Sequence, residues 1–488
     1  MTRKTIAAVL LLGAALASCR RGPSPSAPVR YRTPSGDGVW FEEGVDGADA
    51  ELEGLVERSG FSWVILPWAK LARGENRWIV SRRAASVRPF TRLPVSLVIE
   101  TDAAALAVLT SGDTSTRLAL ENALGQAARE ALDGAGAANG IHFDFPFSPD
   151  SAAAFAKVLR GVKRRLPSGV FLSVTVRSAV SGPGRGKWLA LARAADGMVA
   201  MVWGLGDAAE PAATDAFATS WWAGYAPGAR GWSRDRSGVA TGPYSDDVLA
   251  RLSDERDLEF RHDMTIFEPS LMTFLLAPHR PVAAAARTFR NGDVVSFRQP
   301  SVKDMVSSVR GDGAGRKFLR GRVLAVPGRS EAERLFPITA WKDVRSGKTP
   351  LPALRVSLAS GPGFVDLSAE NASPHASGVS RTNNWIELDL AVRRLREVRP
   401  GGFDRFDLAA GSGRATTPGR ASRVLFYETL IGPFEKIEPA RIVLAGPLSA
   451  GCCRYRVHLL ASTGEEITTD WTETASVREP GNAKRESN

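Results

Sequence analysis

Four acidic positions, Glu42 or its neighbour Glu43, Glu100, Asp102 and Asp144, each close a short apolar run. Carboxyl groups that face one another support glycoside hydrolysis, at roughly 5–5.5 Å apart for retention of configuration or ~6.5–9.5 Å for inversion. That chemistry also favours aromatic platforms, because the C–H faces of sugars stack on rings. Trp40, Trp203 and Tyr244 are aromatic residues placed to serve, and His142 lies two residues before Asp144. The candidate catalytic set is therefore Asp144, Glu42 and Glu100, and the candidate substrate-binding set Trp40, His142, Trp203 and Tyr244. Each acid has an equally physical structural role, as a helix cap or an arginine partner. The tryptophans equally suit core packing.

The elements that would position these groups are clearest around Asn139–Asp150. Ile141, Phe143 and Phe145 alternate with His142 and Asp144, which reads as a buried strand ended by Pro146. Ser148-Pro149-Asp150 supplies an N-cap, a proline at the first helical position and an acid in the first turn. Phe155, Val158, Leu159, Val162 and Leu166 continue at helical spacing, and a second apolar strand runs from Val170 to Val176. The unit is strand–helix–strand, with Asp144 at the C-terminal end of a strand, where parallel α/β folds carry their chemistry.

Similar strands are expected at 38–43, 61–66, 94–100, 198–203, 239–243 and 272–276, with a helix from Asp113 carrying Leu120, Leu124, Ala127, Ala128 and Ala131 on one face. A long Trp/Gly-rich loop holding Trp203, Trp221, Trp222, Tyr225 and Trp232 is expected after the sixth strand, and no helix is evident over 69–92. Eight strands over ~240 residues indicate an α/β fold, a (β/α)8 TIM-like barrel over 38–285. A doubly wound sheet is the alternative, but no Gly-rich phosphate loop follows the first strand. From 286 to 488 short alternating segments separated by turns predict a C-terminal antiparallel β region, sandwich-like and clearest from about 350.

The chain of 488 residues has a net charge of +11, yet only 11 of its 63 basic residues are lysine and they form no long run. This composition argues against a nucleic-acid partner. Arg3-Lys4, an apolar stretch from Ile6 to Leu16 and Leu16-Ala17-Ser18-Cys19 form a signal segment over 1–18 with cysteine at the cleavage point. The apolar stretch is shorter than a transmembrane helix requires. Residues 19–37 are Pro/Ser/Gly/Arg-rich and read as a tether. Cys452 and Cys453 are adjacent, and thiols, a vicinal disulfide or a metal or intermolecular role all remain open. The five histidines show no ligand-pair spacing, so neither metal nor cofactor is expected.

Leu-Ala-Ser-Cys19 resembles the bacterial lipobox. The resemblance implies lipidation of Cys19 and a membrane partner through that anchor. With Arg20 following, it also implies an outer-membrane location facing the periplasm or surface of the cell envelope. Asn139 to Phe147 resembles the fourth-strand segment of chitinase-like barrels, Asp-Gly-x-Asp-x-Asp-x-Glu. Gly140 fits the glycine and Asp144 the last aspartate, whereas His142 replaces the middle aspartate and Pro146 stands at the catalytic glutamate. The proton donor of that family is thus not carried over. A nearer resemblance is to uncharacterised bacterial secreted proteins and lipoproteins, a domain of unknown function with a glycoside-hydrolase-like TIM barrel. It rests on Gly140-Ile141-His142-Phe143-Asp144-Phe145, Leu166-Pro167, Leu172-Ser173-Val174-Thr175, Gly242-Pro243-Tyr244, Gly292 to Arg298 and Gly402-Phe403-Asp404. It implies a barrel and a polysaccharide partner. Hydrolysis is one reading; a non-catalytic glycan-binding or structural envelope lipoprotein is the other.

Overall fold

The computed structural model describes residues 33–42, 50–75, 77–82, 90–111, 113–134, 138–177, 184–203, 211–225, 316–326 and, with short breaks, 336–473. Between 231 and 311 it describes mainly backbone elements. Cys19, Glu43, Tyr244 and Cys452 lie outside the described residues, and so does the expected tether up to residue 32.

Eight parallel strands close into a barrel. They are β1 (Gly38–Phe41), β2 (Trp63–Arg73), β3 (Val95–Thr101), β4 (Ala138–Asp144), β5 (Phe171–Val176), β6 (Gly197–Trp203), β7 (Trp221–Tyr225) and β8 (Leu319–Val326). Each pairs with the next, and β1 pairs with both β2 and β8, so no edge is left open. Helices α1 (Ala50–Arg58), α2 (Ala103–Ala107), α3 (Thr114–Gly134), α4 (Pro149–Arg165), α5 (Arg185–Ala194) and α6 (Pro211–Asp215) fill crossovers between strands. The expected apolar face of α3 is buried at Leu120, Leu124, Ala127, Ala128 and Ala131. At the start of α4, Ser148 and Ser151 form the reciprocal capping pair, with Pro149 in the first turn.

The first six barrel strands follow the sequence pattern, but the last two do not. Trp221–Tyr225, expected within a loop, is the seventh strand, paired in parallel with β6 and β8. Residues 272–276 were expected as a barrel strand, but Leu271–Pro278 pairs antiparallel with Leu258–Phe267 and Val294–Pro300 in a separate five-stranded sheet. Val239–Ala240 joins the same sheet. The eighth strand, β8, thus lies beyond the expected barrel limit at 285, because the antiparallel sheet is inserted between β7 and β8. The segment with no evident helix contains a hairpin instead: β2 runs on through Pro67 with a register shift and pairs antiparallel with Trp78–Arg82.

The barrel interior is packed in a large-against-small manner. Trp40, Trp63, Phe171 and Trp222 are essentially fully buried there, with Ile65, Val98, Val199, Met201, Val323 and Ala325. Fully burying each large ring stabilises the fold by about 1.5–3 kcal/mol. Glycines make the room: a Cβ on Gly38 would sit 2.4 Å from the Trp63 ring, and one on Gly197 would sit 2.6 Å from Phe171 and 2.7 Å from Trp222. The Gly36 carbonyl accepts hydrogen bonds from Trp63 Nε1 (3.2 Å) and Trp222 Nε1 (3.1 Å). Asp37 beside it accepts from Arg322 N at 3.0 Å and Trp341 Nε1 at 3.2 Å. These bonds tie the N-terminal ends of the barrel strands together through Gly36 and Asp37.

C-terminal to the barrel, two antiparallel sheets share one apolar core that includes Leu367, Ile386, Leu388, Phe426, Ile442 and Val457. One sheet joins β9 (Leu354–Gly361), β10 (Phe364–Asn371), β12 (Leu395–Arg399) and β15 (Lys436–Leu444); the other contains β11 (Trp385–Leu390), β13 (Arg405–Ala410), β14 (Arg423–Tyr427) and β16 (Cys453–Leu460). Cys453 is buried at the start of β16.

Candidate functional site

Side-chain alternation decides which groups reach the barrel mouth. On β4, Ile141 and Phe143 face the helices while His142 points inward, so Asp144 shares the inward side. On β3, Val98 is interior, which directs Glu100 the same way, and the register places Glu100 beside Asp144 on the neighbouring strand. On β1 the interior residue is Trp40. The strand path continues past Phe41, where Glu42 N donates to Val326 O at 3.2 Å, so Glu42 follows Trp40 inward.

These three carboxylates converge on a residue that did not figure among the candidates, Arg177. It follows Val176 at the end of β5, in the same inward series as Ser173 and Thr175. Arg177 Nε and Nη2 donate to Asp144 Oδ1 at 3.3 Å and Oδ2 at 2.9 Å. Burial works against the charge on the Arg177 guanidinium. Asp144, Glu42 and Glu100 more than offset that effect, so its pKa is raised. The Asp144 side chain is 14% exposed and that of Arg177 44%, so the pair sits at the rim of the mouth, within reach of solvent.

Beneath the pair lies a buried polar layer. His142 is fully enclosed, with Nδ1 2.8 Å from Ser173 Oγ and Nε2 2.7 Å from Thr175 Oγ1. Burial pushes His142 down to about 4; the Asp144 carboxylate works against that shift and Arg177 adds to it. The ring is therefore neutral at pH 7, with one nitrogen donating and the other accepting. It cannot touch an exposed ligand directly and acts as a floor. Trp40 packs edge-on against His142 at 5.2 Å between ring centroids, with Arg177 Cζ 5.6 Å from its ring centre. Trp40 is 1% exposed, and its indole N–H has no acceptor among the described residues. A buried donor left in this state is costly unless an ordered water accepts its hydrogen bond.

The other sequence candidates fare differently. Asp102 caps α2, accepting from Ala105 N at 2.7 Å, which is a structural role. Trp203 ends β6, where its backbone pairs with Tyr225. Trp221 and Trp222 are fully buried packing residues, with the Trp221 N–H donating to Asp215. Among the described residues no cluster of His, Cys, Asp or Glu is arranged to hold a metal, and no helix is long and apolar enough to cross a membrane.

No protein family and no curated protein matches the chain. Similar solved structures include the spore cortex-lytic enzyme SleL of Bacillus cereus, at 16% identity over 65% of this chain and 76% of that one, with a TM-score of 0.37. A GH18 chitinase from Cycas revoluta in complex with (GlcNAc)4 has 13% identity, covering 64% and 99% of the two chains, with a TM-score of 0.38. A chitinase from Bacteroides thetaiotaomicron has 12% identity, covering 65% and 99%, with a TM-score of 0.37.

Proposed function

We propose that the barrel mouth is a carbohydrate site and that the protein hydrolyses a polysaccharide there. The observation that carries this reading is the convergence of Glu42, Glu100 and Asp144 on Arg177 at the C-terminal ends of the barrel strands. Asp144 and Glu100 are register partners on neighbouring strands, so their side chains leave the sheet next to each other. Asp144, held in two contacts by Arg177, and Glu100 beside it on the neighbouring strand are the carboxyl groups assigned to that chemistry.

A second reading, binding without turnover, is favoured by one feature: Pro146 stands where chitinase-like barrels carry their glutamate. A screen of the chain lacking residues 1–32 against soluble and insoluble polysaccharides, read by reducing-end release, separates the two. Turnover that falls ~10²-fold or more in Asp144→Asn and Glu100→Gln, with melting unchanged, supports hydrolysis. Retention on a polymer with no release supports the binding reading.

We also propose that Cys19 carries a lipid and anchors the chain to the envelope, at the outer membrane facing the periplasm or the surface. Cys19→Ser should abolish lipid labelling and move the protein to the soluble fraction; unchanged membrane association would sink the anchor.

A further inference from the structure

The outer face of the larger sandwich sheet carries an open groove of about 380 Å³, separate from the barrel. Ile386, Leu388, Val424 and Phe426 point into the core, so Glu387, Arg423 and Leu425 are turned outward. Register places Leu425 of β14 between Glu387 on β11 and Asp407 on β13, with Arg456 of β16 beside Glu387. Half-buried Leu425 and Ala409 form an apolar floor.

The charge of this face is lopsided. Four guanidinium groups, from Arg405, Arg414, Arg423 and Arg456, stand against two carboxylates, Glu387 and Asp407. Both Glu387 oxygens are already engaged: Oε1 accepts from Arg423 at 2.7 Å and Oε2 from Arg456 at 2.7 Å, and the side chain is only 3% exposed. Both Asp407 oxygens are engaged too, Oδ2 by Arg405 at 3.0 Å and Oδ1 by Arg414 at 3.1 Å. Two positive charges are left over. Each guanidinium has five N–H donors. Among the described residues Arg414 and Arg423 each direct one at a carboxylate and Arg456 two, so the groove is rich in donors and poor in acceptors.

Farther along the face Arg454 is matched by Asp389, which leaves the surplus uncancelled. Aromatic rings also hold the guanidiniums in place. Arg456 Cζ lies 5.4 Å from the Trp385 ring centre and 4.8 Å from that of Trp471, and Arg405 Cζ lies 3.7 Å from that of Tyr427. Donors fixed in this way lose little freedom when an oxyanion arrives, and their planar forks match its geometry.

We propose that this groove is a second binding site, for an acidic polysaccharide whose charged groups meet the two arginine pairs while a ring lies over Leu425. The floor strands β11, β13, β14 and β16 are each paired on both sides, so an acidic peptide cannot join the sheet as a further strand and gains no main-chain bonds. A single small anion would engage one arginine pair and leave the rest of the groove unfilled. At the barrel mouth three carboxylates surround one guanidinium, which disfavours the same polymer there. The site stands whether or not the barrel hydrolyses anything.

The test is biolayer interferometry of the chain lacking residues 1–32, which keeps every described residue, at about 0.15 M salt to screen general attraction to the basic chain. Immobilised polygalacturonate and dextran sulfate are the acidic polysaccharides, dextran is the neutral control and poly-glutamate the acidic peptide. Binding to at least one acidic polysaccharide and not to dextran is expected. The Arg414 side chain is 81% exposed, so replacing it does not threaten folding. Affinity should fall about three-fold in Arg414→Ala and about ten-fold or more in Arg414→Glu. Arg399→Glu, a matched charge reversal at a 64% exposed arginine of the opposite sheet, should change it less than about two-fold. The proposal is overturned by no binding to either acidic polysaccharide, by equal binding to dextran, or by equal losses in Arg414→Glu and Arg399→Glu. Poly-glutamate bound as tightly, with the same dependence on Arg414, overturns it as well.

Discussion

Arg177 grips both carboxylate oxygens of Asp144, at 3.3 and 2.9 Å, across the mouth of neighbouring strands β4 and β5. The same guanidinium is the cation toward which Glu42 and Glu100 are directed. One positive group thus holds three negative ones in a small, partly shielded volume.

Removing it should expose their repulsion. Arg177→Met keeps much of the stem and deletes the charge, and is expected to cost about 1–3 kcal/mol, since the pair is partly solvated rather than fully buried. The loss should be larger at low than at high ionic strength, because salt screens repulsion between the partly exposed carboxylates. Thermal melts at two salt concentrations check this; a loss that does not vary with salt would mean the guanidinium acts by packing alone.

His142 makes a pH-dependent contribution to stability. Its unfolded-state value is 6.5 and its folded value is about 4, so the unfolded chain binds the extra proton in between. The stability His142 provides is complete above pH 6.5 and is lost as pH falls toward 4, by up to about 3 kcal/mol. His142→Gln keeps hydrogen bonds to Ser173 and Thr175 without the titration. Its melting temperature should therefore decline less than that of the parent from pH 7 to pH 4.

Glu428 in the sandwich shows the reverse sign. Burial, then Asp404 and Glu435, push its carboxyl up to about 9, and one of its oxygens has no hydrogen-bond partner. The folded state keeps a proton that the unfolded state releases above 4.5, so the stability linked to that proton is present below 4.5 and is lost as pH rises toward 9. Glu428→Gln should be the more stable form by about 1–2 kcal/mol at pH 8, with no advantage at pH 4. Equal melting of the two at pH 8 would refute the assignment.

Two glycines should respond in opposite directions to alanine. A Cβ on Gly140 would lie 2.6 Å from the Phe171 carbonyl oxygen, a backbone atom of the adjacent strand that cannot swing away. Gly140→Ala is expected to cost about 1–3 kcal/mol. Gly186 in α5 has nothing within 4 Å of that position, and Gly186→Ala should stabilise by about 0.5–1 kcal/mol. Chemical denaturation of both variants provides the comparison.

Much of the barrel was legible because its strands are apolar runs punctuated by proline and glycine. β4 is the clearest: alternation alone turns His142 and Asp144 inward. β7 escaped because Trp-Trp-Ala-Gly-Tyr has neither a long aliphatic run nor polar alternation, and its aromatics suggested a ligand platform. β8 was assigned to the antiparallel region because consecutive strands are normally neighbours, a rule that an inserted sheet breaks. Arg177 could have been found, since it continues the inward series of Ser173 and Thr175. Asp102 could have been set aside, because an aspartate before three alanines is a ready helix cap. The pairing of Glu387 with Arg423 and Arg456 depends on register between three strands, which no local pattern specifies.

The insertion between β7 and β8 also bears on how the chain is born. As it emerges N-terminus first, β1 and β7 each present an unsatisfied row of backbone donors and acceptors until Leu319–Val326 arrives. Until the segment beyond residue 318 is in place, neighbouring chains can pair through those rows. The late strand thus works as a completeness check: a chain broken off anywhere before it cannot close, and is left in the sticky, open-edged form that proteases and chaperones recognise.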